Sequence, residues 1–510
     1  MAEIVVVGAG VAGLGCALTL AKAGHEVTVL ERDRTPYPAD PEAAFDWDRR
    51  GAPQVRHSHA LLARLRNILV NSHPEVLERL LAAGATEIDF LANRSPEMQD
   101  VGPQPGDDEL VAIACRRTTF EWVLRGVVME QPGVRLLDGV AVSGLRHQLA
   151  PDAAAPPVVT GVDATCDGTA VSFEADLVVV ANGRRSILPT WLSDIGVAVG
   201  ESTEDTGIVY LSRFYRLAPD ADPPQGSGPV AGDLGYLKYG LFQGDNRTFS
   251  VTLASRVHDR ELRARISEPD GFDAAARSID TMKPWLATET ATAITDVAMM
   301  AKLINRRRLF VTEGTPAVLG VHAVGDCHTA TNPLYGRGCS MAMVSAEILG
   351  QSLAEHGADH HGRALEYEAA HEREILPWYL ASVASDADTR RAAAEARAAK
   401  EASANGEFVD GDASPVDTGA DSRGDFGDDT VDPEQFIKDV MREGLMPAVR
   451  TDPYVMRAFL RTVNLLSPPH AMMSDPDVIG RVLASYQERH NRPAEAVVGP
   501  KRSELLETLG

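Results

Sequence analysis

Residues 4–7 (Ile-Val-Val-Val) form the first apolar run of the chain, and it breaks at Gly8-Ala9-Gly10-Val11-Ala12-Gly13. A second apolar run, Val27-Thr28-Val29-Leu30, closes at Glu31. The order strand, glycine turn, helix and strand predicts a βαβ unit. Gly8 allows the tight turn out of the first strand, Gly10 lets a pyrophosphate approach the backbone, and Gly13 lets the helix pack close to the sheet. Free N–H groups and the helix dipole favour phosphate at that helix start. Glu31 stands where a carboxylate accepts hydrogen bonds from adenosine ribose hydroxyls.

Further along, the period changes. Residues 207–217 and 235–254 alternate aromatic and β-branched positions, and Gly244-Asp245-Asn246 marks a hairpin turn, which predicts an antiparallel sheet. Tyr210, Phe214, Tyr236, Tyr239 and Phe242 on it suit either core packing or an apolar pocket. Residues 321–326 (Val-His-Ala-Val-Gly-Asp) read as another strand and run into Asn332-Pro333-Leu334-Tyr335-Gly336-Arg337-Gly338. Met341, Val344, Ile348 and Leu349 give the following helix its apolar face, with Gly336 and Gly338 at its entrance. Taken alone, this segment is either a plain turn or a second site in which Asp326 holds a polyol and free N–H groups receive an anion.

After Leu349 a helical stretch passes into an Ala-rich charged segment. Residues 403–431, rich in Asp, Gly and Ser, predict a mobile insertion because they bury too little apolar surface to offset ordering entropy. Asp432-Pro433, Asp452-Pro453 and Asp475-Pro476 each place an N-cap carboxylate before a proline at the first helical position. Val455, Phe459 and Val463 give the second of these helices a buried stripe. The predicted organisation is a discontinuous nucleotide-binding domain (1–190 and 300–350), a β-sheet module (191–299), a helical segment (351–402), the acidic insertion (403–431) and a C-terminal helical region (432–510).

The formal net charge of -24 over 510 residues removes the basic footprint that nucleic-acid binding requires. The sequence shows no membrane span, and the apolar N-terminus lacks the basic flank of a signal peptide, so a cytoplasmic location is expected. Five scattered cysteines, Cys16, Cys115, Cys166, Cys327 and Cys339, suggest buried thiols in a reducing compartment and no metal cage. His57 and His59 have no carboxylate or cysteine at recognisable ligand spacing, and no metal is assigned. Two readings stay open here: the loop carrying Gln54, Arg56 and His57 borders a ligand, or Arg56, His57 and His59 cap a helix beginning near Leu61. Arg306-Arg307-Arg308 is either a solvated loop or an anchor for the adjoining strand.

Together, residues 4–31 and 321–338 resemble the glutathione-reductase-type FAD fold of class A flavin monooxygenases. The resemblance covers roughly residues 3–350. It implies an α/β architecture: a Rossmann-like FAD-binding domain, an antiparallel-sheet substrate domain over the flavin ring, and a C-terminal helical region. It implies that Gly8, Gly10, Gly13 and Glu31 hold the ADP half of FAD and that Asp326 holds the ribitol. By the same resemblance Pro333, Gly336 and Gly338 approach the pyrimidine side of the ring, and Arg117 lies near ribitol and pyrophosphate while Arg116 faces solvent. Residues 50–62, with the Arg117 segment and residues 332–338, are similar to the bacterial branch containing polyether-pathway olefin epoxidases. One motif departs from the family. Asn182 stands in Ala181-Asn182-Gly183 where an aspartate is usual, which keeps an acceptor but loses a charge.

The implied activity is insertion of one oxygen atom into an apolar organic substrate, by epoxidation or hydroxylation, through a flavin hydroperoxide, with O2 as co-substrate. NADPH or NADH is the expected electron donor, with a partner flavin reductase as an open alternative. No acid/base or Ser/His/Asp constellation appears, and no catalytic residue is assigned, because such chemistry belongs mainly to the cofactor. A reductase or dehydrogenase without oxygen transfer, and a redox-silent flavin-binding interaction protein, are the competing readings.

Overall fold

The computed structural model describes every residue except 93–97, 99, 100, 150–154, 225–229, 405–432 and 493–497. Asp432, and all of the 403–431 insertion except residues 403 and 404, therefore lie outside the described residues.

Residues 4–7 are at most 5% exposed, as a parallel strand covered on both faces requires. They lie in β1 (Glu3–Val7), followed by α1 (Val11–Lys22) and β2 (Glu26–Glu31). Helix α2 (Arg117–Glu130) leads to β3 (Val134–Asp138), and β4 (Leu177–Val180) follows an antiparallel three-stranded sheet spanning residues 140–174. The last strand to join is Val321–Ala323. The all-parallel order is Val321–Ala323, β4, β1, β2, β3, so the chain ends Gly8, Glu31 and Val324 emerge along one edge. Leu14, Leu18 and Leu20 of α1 join Phe120 and Leu124 of α2 in the core on one face of this sheet. Val5, Val7, Leu30 and Val180 join the antiparallel layer on the other.

The second sheet is built on β5 (Ile208–Leu217), β6 (Leu237–Gln243) and β7 (Thr248–Arg256), with β7 between the other two. Register places Tyr210 opposite Ala254, Ser212 opposite Thr252 and Phe214 opposite Ser250. With a period of two, these residues share one face, while Leu211, Tyr215 and Leu253 occupy the other beneath the helices Arg260–Ile266 and Pro269–Arg277. Two elements cross the expected module limits. Strand Gly200–Asp205 pairs with β8 (Ile304–Leu309) instead of joining this sheet. The final helix, Arg502–Leu509, returns to it through Leu505.

Helix α3 (Gly338–His356) packs on α1, and α4 (His360–Glu374) packs on α3. The long α5 (Leu376–Ala404) follows. Asp452 and Asp475 cap their helices as their Asp-Pro pairs predict, each carboxylate accepting two backbone N–H bonds. The C-terminal helices share a core of Leu445, Val455, Val478 and Val482. No helix among the described residues is long and apolar enough to cross a membrane.

Candidate functional site

Gly8 has φ +104°, and a Cβ there would come within 2.8 Å of the Ala181 carbonyl oxygen. A Cβ on Gly13 would overlap the Gly8 carbonyl oxygen. Both glycines therefore serve the turn itself. Gly10 differs: its backbone is extended (φ −85°, ψ −175°) and a Cβ would meet nothing within 4 Å. Clearance at the N-cap of α1 is what a phosphate approaching the free N–H groups requires. Glu31 accepts hydrogen bonds from the Ala9 N–H at 3.0 Å and the Asp33 N–H at 2.9 Å. It thus ties the glycine turn to the end of β2 and keeps carboxylate lone pairs for a ribose hydroxyl.

Two arginines support this turn. Buried Arg49 donates to the Ala9 carbonyl at 2.9 Å and lies 3.2 Å from Glu121. Glu121 is also paired with Arg117 at 2.7 Å, one turn earlier on α2. Burial would raise the Glu121 carboxyl, but Arg117 and Arg49 outweigh it and hold it low. Arg117 further faces His59 Nε2 at 3.3 Å and the Cys339 thiol at 3.7 Å, at the start of α3. It therefore links the first motif to the second. Arg49 escaped sequence analysis because its role comes from packing across a loop.

The second motif meets the first at α1. A Cβ on Gly325 would come 2.9 Å from the Ala12 Cβ, so Asp326 sits beside the first turn of α1. Its carboxylate is 3.7 Å from Arg184 Nε. Arg184 also donates to the Thr331 carbonyl, while its Nη1 is buried without a hydrogen-bond partner, as is Asn182 Oδ1 on the adjoining turn. Gly336 adopts φ +66° and packs against Ala60. Gly338 is exposed with open space around it at the start of α3. Open positions at Gly10 and Gly338, carboxylates at Glu31 and Asp326, and unsatisfied Arg184 and Asn182 atoms fit a dinucleotide with anionic and polyol parts.

The loop carrying His57 and His59 packs against the second sheet. His57 Nδ1 lies 3.2 Å from Ser212 Oγ, and its ring meets Tyr210 edge-on at 4.9 Å. Ser212, Thr252 and Ser58 continue a hydroxyl chain in steps of 2.8 Å. His59 Nδ1 contacts the His57 carbonyl at 2.9 Å. Neither histidine caps the following helix, Ala63–Ser72, whose first N–H goes to Asn464 Oδ1 at 3.1 Å. Of the aromatics singled out, Tyr210 and Phe214 lie on the face covered by this part of the chain, Tyr210 against His57 and Phe214 against Phe45. Tyr239 belongs to the opposite core, and Tyr236 donates to the Pro500 carbonyl.

Arg116 does not face solvent. It is 3% exposed and chelates Asp245 of the β6–β7 turn, with Nη2 to Oδ2 at 2.6 Å and Nε to Oδ1 at 3.0 Å. The expectation failed because the partner lies 129 residues away. The triple arginine is an anchor: Arg307 pairs with Glu368 and Glu372, while Arg308 pairs with Glu201 and donates to the Cys327 carbonyl.

Burial lowers His57 to about 4 and holds His59, His322 and His371 well below the usual imidazole range. Below about 6.5 the unfolded chain binds protons that these folded rings refuse, so stability falls as pH drops from there toward 4. Each such ring contributes at most ~1.4 kcal/mol per pH unit in that window. The melting temperature is therefore expected to fall between pH 7 and pH 5 in thermal scans at constant ionic strength; a flat profile would contradict neutral buried rings.

Residues 3–40 match the family model of DAO, FAD dependent oxidoreductase. The matched residues span the first βαβ unit. No curated protein matches the sequence significantly. Among solved structures, similar folds include the myxobacterial chondrochloren halogenase CndH, at 18% identity and TM-score 0.52 over 74% of this chain and 81% of that one. Another is Pseudomonas aeruginosa PqsL in complex with 2-aminobenzoylacetate, at 15% identity and TM-score 0.52 over 75% and 94%. A third is OxyS anhydrotetracycline hydroxylase from Streptomyces rimosus, at 18% identity and TM-score 0.50 over 76% and 69%. The fold is that of FAD-binding monooxygenases and halogenases, with a helical C-terminal region.

Proposed function

We propose that the chain is an FAD-dependent monooxygenase that inserts one oxygen atom into a small organic substrate held between the nucleotide cradle and the antiparallel sheet. The observation that carries this reading is the placement of Asp326 beside the start of α1, with the 332–338 turn packed on Ala60 through Gly336 and on Tyr210 of the second sheet through Leu334. In this reading Gly8, Gly10, Gly13, Glu31 and Arg117 serve the ADP half. Asp326 holds the ribitol, and Pro333, Gly336 and Gly338 border the ring. Arg184 and Arg49 join them, Arg184 toward the anionic part and Arg49 behind the glycine turn.

FAD, when bound, supplies hydride acceptance and oxygen activation. The chain's residues supply position and exclusion of water. Leu334 and Met300 pack against Tyr210 of the second sheet, and the adjoining Ser212 and Thr252 add buried hydroxyls. That mixture suits an apolar substrate body bearing a hydrogen-bonding group. Reduced nicotinamide, NADPH or NADH, or a partner flavin reductase provides the electrons. The similar structures include halogenases as well as monooxygenases, but the sequence lacks the W-x-W-x-I-P signature of the halogenase branch.

The purified chain is expected to be yellow and to release FAD, not FMN, on denaturation. Labelled dioxygen should deliver one oxygen atom to the product. Oxidation of reduced nicotinamide without label in any product would make it a reductase. Asp326→Ala should weaken FAD binding, since loss of a charge-assisted hydrogen bond costs about 1.5 to 3 kcal/mol, roughly ten- to a hundred-fold in affinity. Flavin titration by fluorescence quenching checks this, and wild-type affinity would reduce Asp326 to a turn residue.

A further inference from the structure

Helix α5 lays one stripe of side chains across the 332–338 turn. Trp378, Ser382 and Asp386 recur every four residues and so share a face. Arg337 reaches this stripe first: its guanidinium lies 5.0 Å from the Trp378 ring centre and donates to Ser382 Oγ at 3.0 Å. Asp386 lies one turn further along and is 2% exposed. Its carboxylate accepts from Asn305 Nδ2 at 2.7 Å, Asn332 Nδ2 at 2.8 Å and the Tyr335 hydroxyl at 3.1 Å. Asn305 Oδ1 in turn receives the Asn332 backbone N–H at 2.7 Å, and Asn332 Oδ1 receives the Leu334 N–H at 3.0 Å. The three donors to Asp386 therefore come from the entrance of the turn, its middle, and strand β8 beneath it.

A buried carboxylate satisfied by three neutral donors is an expensive way to join a helix to a loop, because apolar packing would do so without desolvating a charge. What the carboxylate adds is direction: each bond fixes a different point of one turn. The turn opens into the exposed Gly338 at the start of α3. One turn beyond Asp386, the same helix reaches the second sheet, where Lys238 Nζ lies 3.3 Å from Thr389 Oγ1, while Arg390 bonds to the Asp205 carbonyl of the strand paired with β8.

We propose that Asp386 is a positioning residue: it fixes the 332–338 turn and, through it, the place of the flavin ring relative to the substrate-facing sheet. This rests on the cofactor reading above. The decisive comparison is Asp386→Ala against Thr389→Ala, which lies on the same helix but anchors the sheet. Hydrogen–deuterium exchange of peptides covering 332–338 needs no flavin. It should rise in Asp386→Ala and stay at the wild-type level in Thr389→Ala.

With FAD added, the visible circular dichroism of the flavin should change in Asp386→Ala alone, and affinity should drop about ten-fold. If Asp386→Ala does not fold, Tyr335→Phe removes a single hydroxyl from the network and reads the same exchange. Unchanged exchange at 332–338, equal effects in Thr389→Ala, or faster exchange with an unaltered flavin signal would each overturn the proposal. A wild-type chain that exchanges as expected but takes up no FAD would instead overturn the cofactor reading and the flavin half of this one.

Discussion

Gly10→Val should yield a folded, colourless protein. The backbone at Gly10 is extended, a conformation valine favours, and the added Cβ meets no atom within 4 Å. Its methyl groups would project into the clearance at the start of α1, where the proposed cofactor reading brings a pyrophosphate to the backbone. The expected loss in FAD affinity exceeds a hundred-fold, about 2.7 kcal/mol or more. Far-ultraviolet circular dichroism and the melting temperature of the FAD-free protein should match wild type. Gly13→Ala provides the contrast, because its Cβ would overlap the Gly8 carbonyl oxygen. It should lower the melting temperature even without cofactor. Full FAD retention by Gly10→Val would show that the open space at this turn is not a phosphate site.

That contrast bears on what was legible in the sequence. The βαβ unit could be read because each of its requirements is local: a strand, three glycines at fixed spacing, a helix and a terminal acid lie within residues 3–31. The 321–338 segment was legible as strand, turn and helix for the same reason. Its meaning as a site depended on the contact between Gly325 and Ala12, which are more than three hundred residues apart. The Asp-Pro caps at Asp452 and Asp475 followed from local backbone chemistry and were found in place.

What escaped the sequence is the set of long-range polar ties. Arg49, Arg184 and Asp386 carry no motif, since their partners lie on other elements: Ala9 and Glu121 for Arg49, Asp326 and Thr331 for Arg184, and the Asn332 turn for Asp386. The path of α5 was equally hidden. Its sequence is merely Ala-rich and charged after Ala381, and only the fold shows that Asp386 faces inward.

Arg116 is the clearest instance, and the largest stability effect should follow from it. Asp245→Ala is expected to destabilise the protein by about 3 to 5 kcal/mol, the scale for breaking one side of a buried ion pair. Asp245 is fully buried, and besides Arg116 it accepts from the Thr119 hydroxyl at 2.8 Å and Asn246 Nδ2 at 3.0 Å. Its removal leaves the Arg116 side chain, 1% exposed, with only Glu42 as a charged partner. Burial would raise the Asp245 carboxyl, but the Arg116 hydrogen bonds and charge outweigh it and hold it low. That depressed value makes the pair's contribution complete above the ordinary aspartate range, and acid removes it as the folded carboxyl is protonated. Denaturant melts near neutral pH should therefore show the full difference between Asp245→Ala and wild type, narrowing at low pH. Replacing both partners, Arg116→Met with Asp245→Leu, should recover much of the loss, because no buried charge is then left alone. The exposed pair Arg34–Asp167 serves as the comparison, since water screens it and Arg34→Ala should change stability little. If Asp245→Ala costs no more than Arg34→Ala, the β6–β7 turn is not what fastens the second sheet to α2.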